Sequence, residues 1–153
     1  MRNHKRKNFW EKYQLTELNK SEWEALCDRC GKCCLIKLKD KENSEVHYTN
    51  LSCKEFDVEK CKCKNYKKRK TLVEDCIVLS PETIAESHKW MPPTCAYRLL
   101  YEGKKLYDWH PLISKNLNSV HLNDTSIKNK TIPETEVPQE RWQYFTTNIF
   151  AGN

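Results

Sequence analysis

Cys27-Asp28-Arg29-Cys30-Gly31-Lys32-Cys33-Cys34 puts four thiols into eight residues, in the pattern C-x2-C-G-x-C-C. Thiols this close oxidise readily unless something holds them. Two-residue spacings let one tight turn aim several sulfurs at a common centre, as zinc knuckles and iron–sulfur loops do. Gly31 suits such a turn because glycine takes positive φ at no steric cost. Five further cysteines follow: Cys53, Cys61, Cys63, Cys76 and Cys95. The pattern predicts a protein built on a metal or cluster site.

Composition points the same way. The chain has 153 residues, enough for one domain and short for two. Leu, Ile, Val and Phe together number 31, about a fifth of the chain, so the apolar core is poor. Five Trp and seven Tyr argue against disorder, and the net charge of +6 is modest. Such a chain needs a staple. Metal bound to deprotonated cysteines supplies folding free energy of about 10 kcal/mol or more per site. The basic start, Met1 to Trp10, leads into no apolar run, so no secretory signal is visible, and no 18-residue apolar stretch exists to span a membrane. The expected location is therefore cytoplasmic, where thiols stay reduced and clustered cysteines are ligands or redox groups rather than disulfides.

The expected fold class is α+β, small, irregular and loop-rich, with short helices and a few short strands around the cysteine site. Residues 1–8 are expected to form a flexible basic tail and residues 9–153 a single cysteine-cluster domain. Ser21-Glu22-Trp23-Glu24 reads as a capping box with Ser21 at the N-cap, opening a helix that delivers Cys27 at its end. Trp23 and Leu26 share a face of it. Residues 35–38 pair with 46–49 as a hairpin beside the thiols. Cys76 to Leu79 reads as extended, and Ser80-Pro81-Glu82 opens a short helix ending before Met91. Thr94 caps the next helix and Gly103 closes it. Asp108 to Leu112 is a loop, Ser119 to Leu122 a strand, and the residues around Arg141 to Phe145 a short helix.

Lys60 to Lys70 holds seven basic residues in eleven. A solvated charged face and a nucleic-acid patch are both open readings. The preferred one is charge compensation, since four thiolates on Zn2+ sum to about −2 and nearby cations keep thiolates ionised.

These residues resemble the bacterial CxxCxxCC cysteine-cluster family, most closely its YcgN-like branch. The likeness rests on the motif at Cys27–Cys34 after a Trp-bearing helix, and on Tyr48-Thr49-Asn50 before Cys53. It extends to Cys61-Lys62-Cys63 with Asn65, Tyr66 and Arg69, to Asp75-Cys76-Ile77, and to Thr94 through Leu100 with Glu102-Gly103. Trp109-His110-Pro111-Leu112 completes it. The resemblance covers residues 9–125 and implies a zinc- or iron-chelating domain, described in some members as an iron–sulfur oxidoreductase. One departure stands out: Lys70 occupies the family's proline position, and the next cysteine comes only at Cys76.

Adjacent cysteines point apart in most backbone conformations, so Cys27, Cys30 and one of Cys33 and Cys34 converge on one centre, leaving the other free for a second. Nine thiols divide naturally as four, four and one. The expected metal ligands are Cys27, Cys30, Cys33, Cys34, Cys61, Cys63 and Cys76, with Cys53, Cys95 and His110 as further candidates. The C-x2-C-x2-C opening matches the start of the bacterial ferredoxin run, which favours an iron–sulfur cluster or iron, with zinc as the alternative. The expected role is metal or cluster binding for electron transfer, metal handling or modification of a partner protein. The alternative is a structural zinc module that binds nucleic acid or protein through residues 60–70. A protein partner of unknown identity is left open, nucleic acid is not the expected partner, and no membrane contact is expected. No Ser/His/Asp order, glycine-rich phosphate loop or H-E-x-x-H helix is present, so no residue is assigned as catalytic.

Overall fold

The computed structural model describes residues 4–73 and 76–147. The first three residues of the expected tail, and the Glu74-Asp75 approach to Cys76, lie outside the described residues. The architecture is mixed α and β, loop-rich, with short helices and a few short strands.

The helical side opens with α1 (Phe9–Lys12) and α2 (Lys20–Ala25). The capping box of α2 sits two residues earlier than expected. Asn19 is the N-cap, its Oδ1 accepting from Glu22 N at 2.8 Å, while Glu22 Oε1 accepts from Asn19 N at 2.9 Å. Asparagine caps as well as serine, and this register serves Glu22 better than the expected one would have. The Glu22 carboxylate is fully buried and takes the Arg6 guanidinium through Nε (2.9 Å) and Nη2 (2.7 Å). Arg6 also donates its backbone N–H to Glu22 Oε2 at 2.8 Å, so the basic start of the chain is tied to α2.

Trp23 and Leu26 are buried in one apolar cluster with Phe9, Ile84, Ala96 and Tyr97, as their shared face predicts. The Trp23 and Tyr97 rings lie 4.8 Å apart, and the Tyr97 hydroxyl donates to Trp23 O at 2.7 Å. The helix delivers Cys27 one residue beyond its C-cap, Leu26.

The expected hairpin is present and longer than its sequence signal. Strand β1 (Leu35–Lys39) pairs antiparallel with β2 (Val46–Ser52), setting Lys37 opposite Tyr48 and Leu35 opposite Ser52 around a bulge. A second small ladder pairs β3 (Phe56–Asp57) with β4 (Lys62–Cys63). The stranded side has its own core of Leu35, Tyr48, Phe56, Cys61 and Ile127.

After α3 (Arg69–Leu72), residues 76–79 join no strand. Ser80 and Thr83 then exchange hydroxyl and backbone bonds before α4 (Ile84–Ser87), so that helix starts later than expected. Helix α5 (Ala96–Tyr101) has Cys95, not Thr94, at its N-cap, and the Thr94 hydroxyl accepts from Lys32 Nζ instead. Gly103, at φ 76, closes it in a Schellman motif: Gly103 N bonds Leu100 O and Lys104 N bonds Leu99 O.

The segment expected as a loop at 108–112 contains the start of α6 (Pro111–Ser114), capped by His110. The expected strand at Ser119–Leu122 is instead a helical turn, α7. Only Val120 there is buried, while Leu122 is 76% exposed, so a short apolar run with no neighbouring strand relaxes into a turn. A third short strand, β5 (Ile132–Pro133), runs parallel to β2, giving the order β1-β2-β5. The residues around 141–145 form a 3-10 helix, Gln139–Phe145, rather than an α-helix.

Candidate metal centre

The turn after α2 turns its backbone donors onto its own sulfurs. Arg29 N–H donates to Cys27 Sγ at 3.4 Å, and Lys32 N–H to Cys30 Sγ at 3.5 Å. Farther along, Glu55 N–H donates to Cys53 Sγ at 3.4 Å in the same i+2 geometry. A donor aimed at sulfur favours the thiolate, the form that binds metal. The bends come from two left-handed residues, Arg29 at φ 67 and Gly31 at φ 80. A Cβ on Gly31 would lie 2.8 Å from Ile127 Cγ1 and 2.9 Å from Cys61 Sγ, so close approach as well as φ selects glycine.

Burial and neighbouring charge shift several of these thiols. Cys27 is exposed as a residue, yet the protein around its sulfur opposes ionisation, and charge at Cys33, Asp28 and Cys95 adds to it. Cys30 is raised by burial, then by Asp28, Cys33 and Cys27. Cys95 is pushed up to about 12, mainly by burial, with Cys33 among its neighbours. Cys34 is raised by its hydrogen bond with Cys33, then by burial and by charge at Cys33, Cys53 and Cys63. That shared proton holds Cys33 below and Cys34 above the ordinary thiol range. Cys53, raised by burial, feels Cys76 and Cys63. Cys76 is raised by burial, lowered by Arg69 and Lys70, and feels both Cys33 and Cys63. Backbone bonds tie their segments together: Cys53 N–H donates to Cys34 O at 2.8 Å, and Cys63 lies opposite Phe56 across the β3–β4 ladder.

Cys61 stands apart. It is 2% exposed, packed with Phe56 and Ile127, and its S–H faces the carbonyls of Arg29 (3.4 Å) and Cys30 (3.5 Å). Burial pushes its thiol up to about 11. His110 is likewise committed: its Nδ1 accepts from Leu112 N–H at 3.0 Å, so the proton sits on Nε2, which meets Leu26 O at 2.7 Å. Both ring nitrogens are in use, and burial lowers its pKa. It braces the end of α2 that carries Cys27.

Two lysines overlooked by the sequence reading flank the sulfurs. Lys32 is 4% exposed, and its ammonium makes one hydrogen bond, to Thr94 Oγ1 at 3.3 Å, with no carboxylate in ion-pair range among the described residues. Lys37 Nζ donates to the carbonyls of Cys33 (2.9 Å) and Leu35 (3.0 Å). Burial lowers the Lys37 pKa, and charge at Cys33, Cys34, Cys30 and Cys76 opposes that. A buried ammonium requires a counter-charge. Lys32 lies inside the cysteine motif itself, so cations beside the thiols are not confined to residues 60–70.

All nine cysteines are free thiols. As the side chains stand they are neighbours rather than a closed coordination sphere: among the described residues, no three His, Cys, Asp or Glu groups are set to hold an ion. The donor set nonetheless fits a thiolate-bound metal, on three features: four thiols in one turn, N–H groups directed at sulfur, and a buried ammonium with no carboxylate in ion-pair range among the described residues. A separate cleft of about 540 Å3, lined by Lys39, His47, Tyr48, Trp90 and Arg98 among others, contains no cysteine.

Over 135 residues the chain is 47% identical to the UPF0260 protein of Rhodobacter capsulatus, covering 88% of this chain and 90% of that protein. A UPF0260 protein of Aliivibrio fischeri is 46% identical over 140 residues, 92% and 94% of the two chains. The chain belongs to the UPF0260 family. Residues 26–96 also match the CxxCxxCC family model, described as a "Putative zinc- or iron-chelating domain". No solved structure matches this UPF0260 chain. Among its described residues no helix is long and apolar enough to cross a membrane.

Proposed function

We propose that this UPF0260 protein binds iron, as an iron–sulfur cluster, through its gathered thiols, and that it works in a reducing compartment such as the cytoplasm. The observation that carries the reading is the buried Lys32 ammonium, set in the cysteine turn with a hydroxyl as its one side-chain partner among the described residues. Thiolate-bound metal brings net negative charge to that place, and neutral thiols do not. The C-x2-C-x2-C opening favours iron over zinc, since it matches the start of a cluster-binding run. When bound, a cluster supplies one-electron transfer. This chain's own part is to hold it and to direct N–H groups onto Cys27, Cys30 and Cys53.

The rival reading, a structural zinc module using residues 60–70 to bind nucleic acid, has less support. Arg69 stacks its guanidinium 3.8 Å over the Tyr66 ring, and with Lys70 it favours the Cys76 thiolate, so part of this charge serves the protein's own sulfurs. Purification without oxygen, with iron, sulfide and zinc analysis and a visible spectrum, decides between them. A brown protein with iron and sulfide in ratio supports the cluster. Stoichiometric zinc in a colourless protein supports the rival, and no metal of either kind overturns both.

A further inference from the structure

We propose that the thiols form two separate four-thiolate centres, one from Cys27, Cys30, Cys33 and Cys95 and the other from Cys34, Cys53, Cys63 and Cys76, with Cys61 serving as a strut and not a ligand. The inference rests on the reading that these thiols hold metal, and goes beyond it in number, membership and exclusion.

The division follows the two cores. Cys27 and Cys95 lie at the ends of α2 and α5, whose buried faces form the helical cluster, and Cys95 packs against that cluster. Cys34 and Cys53 pack against the stranded cluster, where the bond between Cys53 N and Cys34 O sets them side by side. Cys63 comes to the same place through its pairing with Phe56, the residue after Glu55, whose N–H donates to Cys53 Sγ, and Cys76, the one thiol left, completes that centre by elimination. Cys33 and Cys34 share one 3-10 turn, Lys32–Cys34, and are where the two groups meet. Each group has its own lysine: Lys32 reaches toward Thr94, the residue before Cys95, and Lys37 extends from β1 over the carbonyls of Cys33 and Leu35.

Cys61 is excluded by what surrounds it. Its sulfur is enclosed beneath Gly31 by Phe56 and Ile127, against two carbonyl oxygens. Carbonyls so placed accept from S–H and repel a thiolate. Ile127 N–H donates to Cys30 O at 2.9 Å from the same side, so Cys61 and Ile127 together fix the backbone of the turn.

Metal content per chain, measured on protein purified without oxygen, reads the proposal directly. The unmutated chain is expected to carry two equivalents of cluster or of zinc. Cys95→Ser is expected to halve the content, Cys63→Ser to halve it also, and Cys61→Ala to leave it unchanged. Cobalt(II) titration of the unmutated, metal-stripped chain gives the number without any substitution: thiolate-to-cobalt absorption saturates at two equivalents. Saturation at one equivalent, loss of all metal from either serine variant while its far-ultraviolet circular dichroism stays native, or loss of a centre from Cys61→Ala overturns the division. A chain that takes up no metal overturns the metal reading itself, a different result from any of these.

Discussion

The helical and stranded halves of this UPF0260 protein hold their sulfurs by different means. On the helical side, Cys27 and Cys95 are placed by packing: apolar faces carrying Trp23, Leu26, Ala96 and Tyr97 meet, and the helix ends follow. On the stranded side, Cys34, Cys53 and Cys63 are placed by backbone register, through the β1–β2 and β3–β4 ladders and the bond between Cys53 and Cys34. Packing degrades gradually as atoms are removed. Register fails when one backbone position is disallowed.

The largest effect is therefore expected at Gly31, where the two halves meet. Gly31→Ala combines a positive φ with a Cβ at 2.8 Å from Ile127, and strain plus overpacking should cost about 4 kcal/mol. Urea unfolding measures it, and a loss below about 1 kcal/mol would show that the turn can rearrange. Leu26→Ala, which empties a fully buried site on the helical side, should cost about 3 kcal/mol by the same measurement. If it proves nearly neutral, packing does not place Cys27.

Glu22 gives a pH signature confined to the helical half. Hydrogen bonding from Arg6 lowers its carboxyl to about 2, against about 4.3 unfolded. Its contribution is thus full above the unfolded value and is lost as pH falls from there toward 2. Glu22→Gln should lower the Tm at neutral pH and flatten the decline across that acid window. Parallel Tm curves for the two proteins would remove Glu22 from the account. The smallest effect is expected from Lys62→Ala and Lys67→Ala, which should change stability by less than about 0.5 kcal/mol and leave metal content unaltered. A larger loss of metal in either would extend charge compensation to the exposed end of the basic segment.

Local chemistry explains which features could be read from sequence. The glycine turn at Gly31, the helix stop at Gly103 and the hairpin from Leu35 each depend on a few adjacent residues, and each is present. The strand expected at Ser119–Leu122 failed because strand or helix there depends on whether a neighbouring strand exists. The N-cap of α2 fell at Asn19 rather than Ser21 because Asn19 and Glu22 exchange both capping bonds, and Arg6, distant in sequence, then holds the Glu22 carboxylate. The sulfur neighbourhoods follow the same rule: C-x2-C-x2-C is visible as a turn, whereas the approach of Cys95 and the separate setting of Cys61 are tertiary. His110 was readable as a candidate ligand, yet its ring is committed to Leu26 and Leu112.

The contact between Lys32 and Thr94 spans 62 residues. The chain between them holds Cys33, Cys34, Cys53, Cys61, Cys63 and Cys76, so the stranded side lies inside a loop closed by the helical one. Closing a loop of that length costs roughly 4 kcal/mol in chain entropy, and less once its interior is already folded. Assembly of the hairpin side thus shortens the search by which Thr94 meets Lys32. The molecule is nested rather than divided, and its inner knot should tie first.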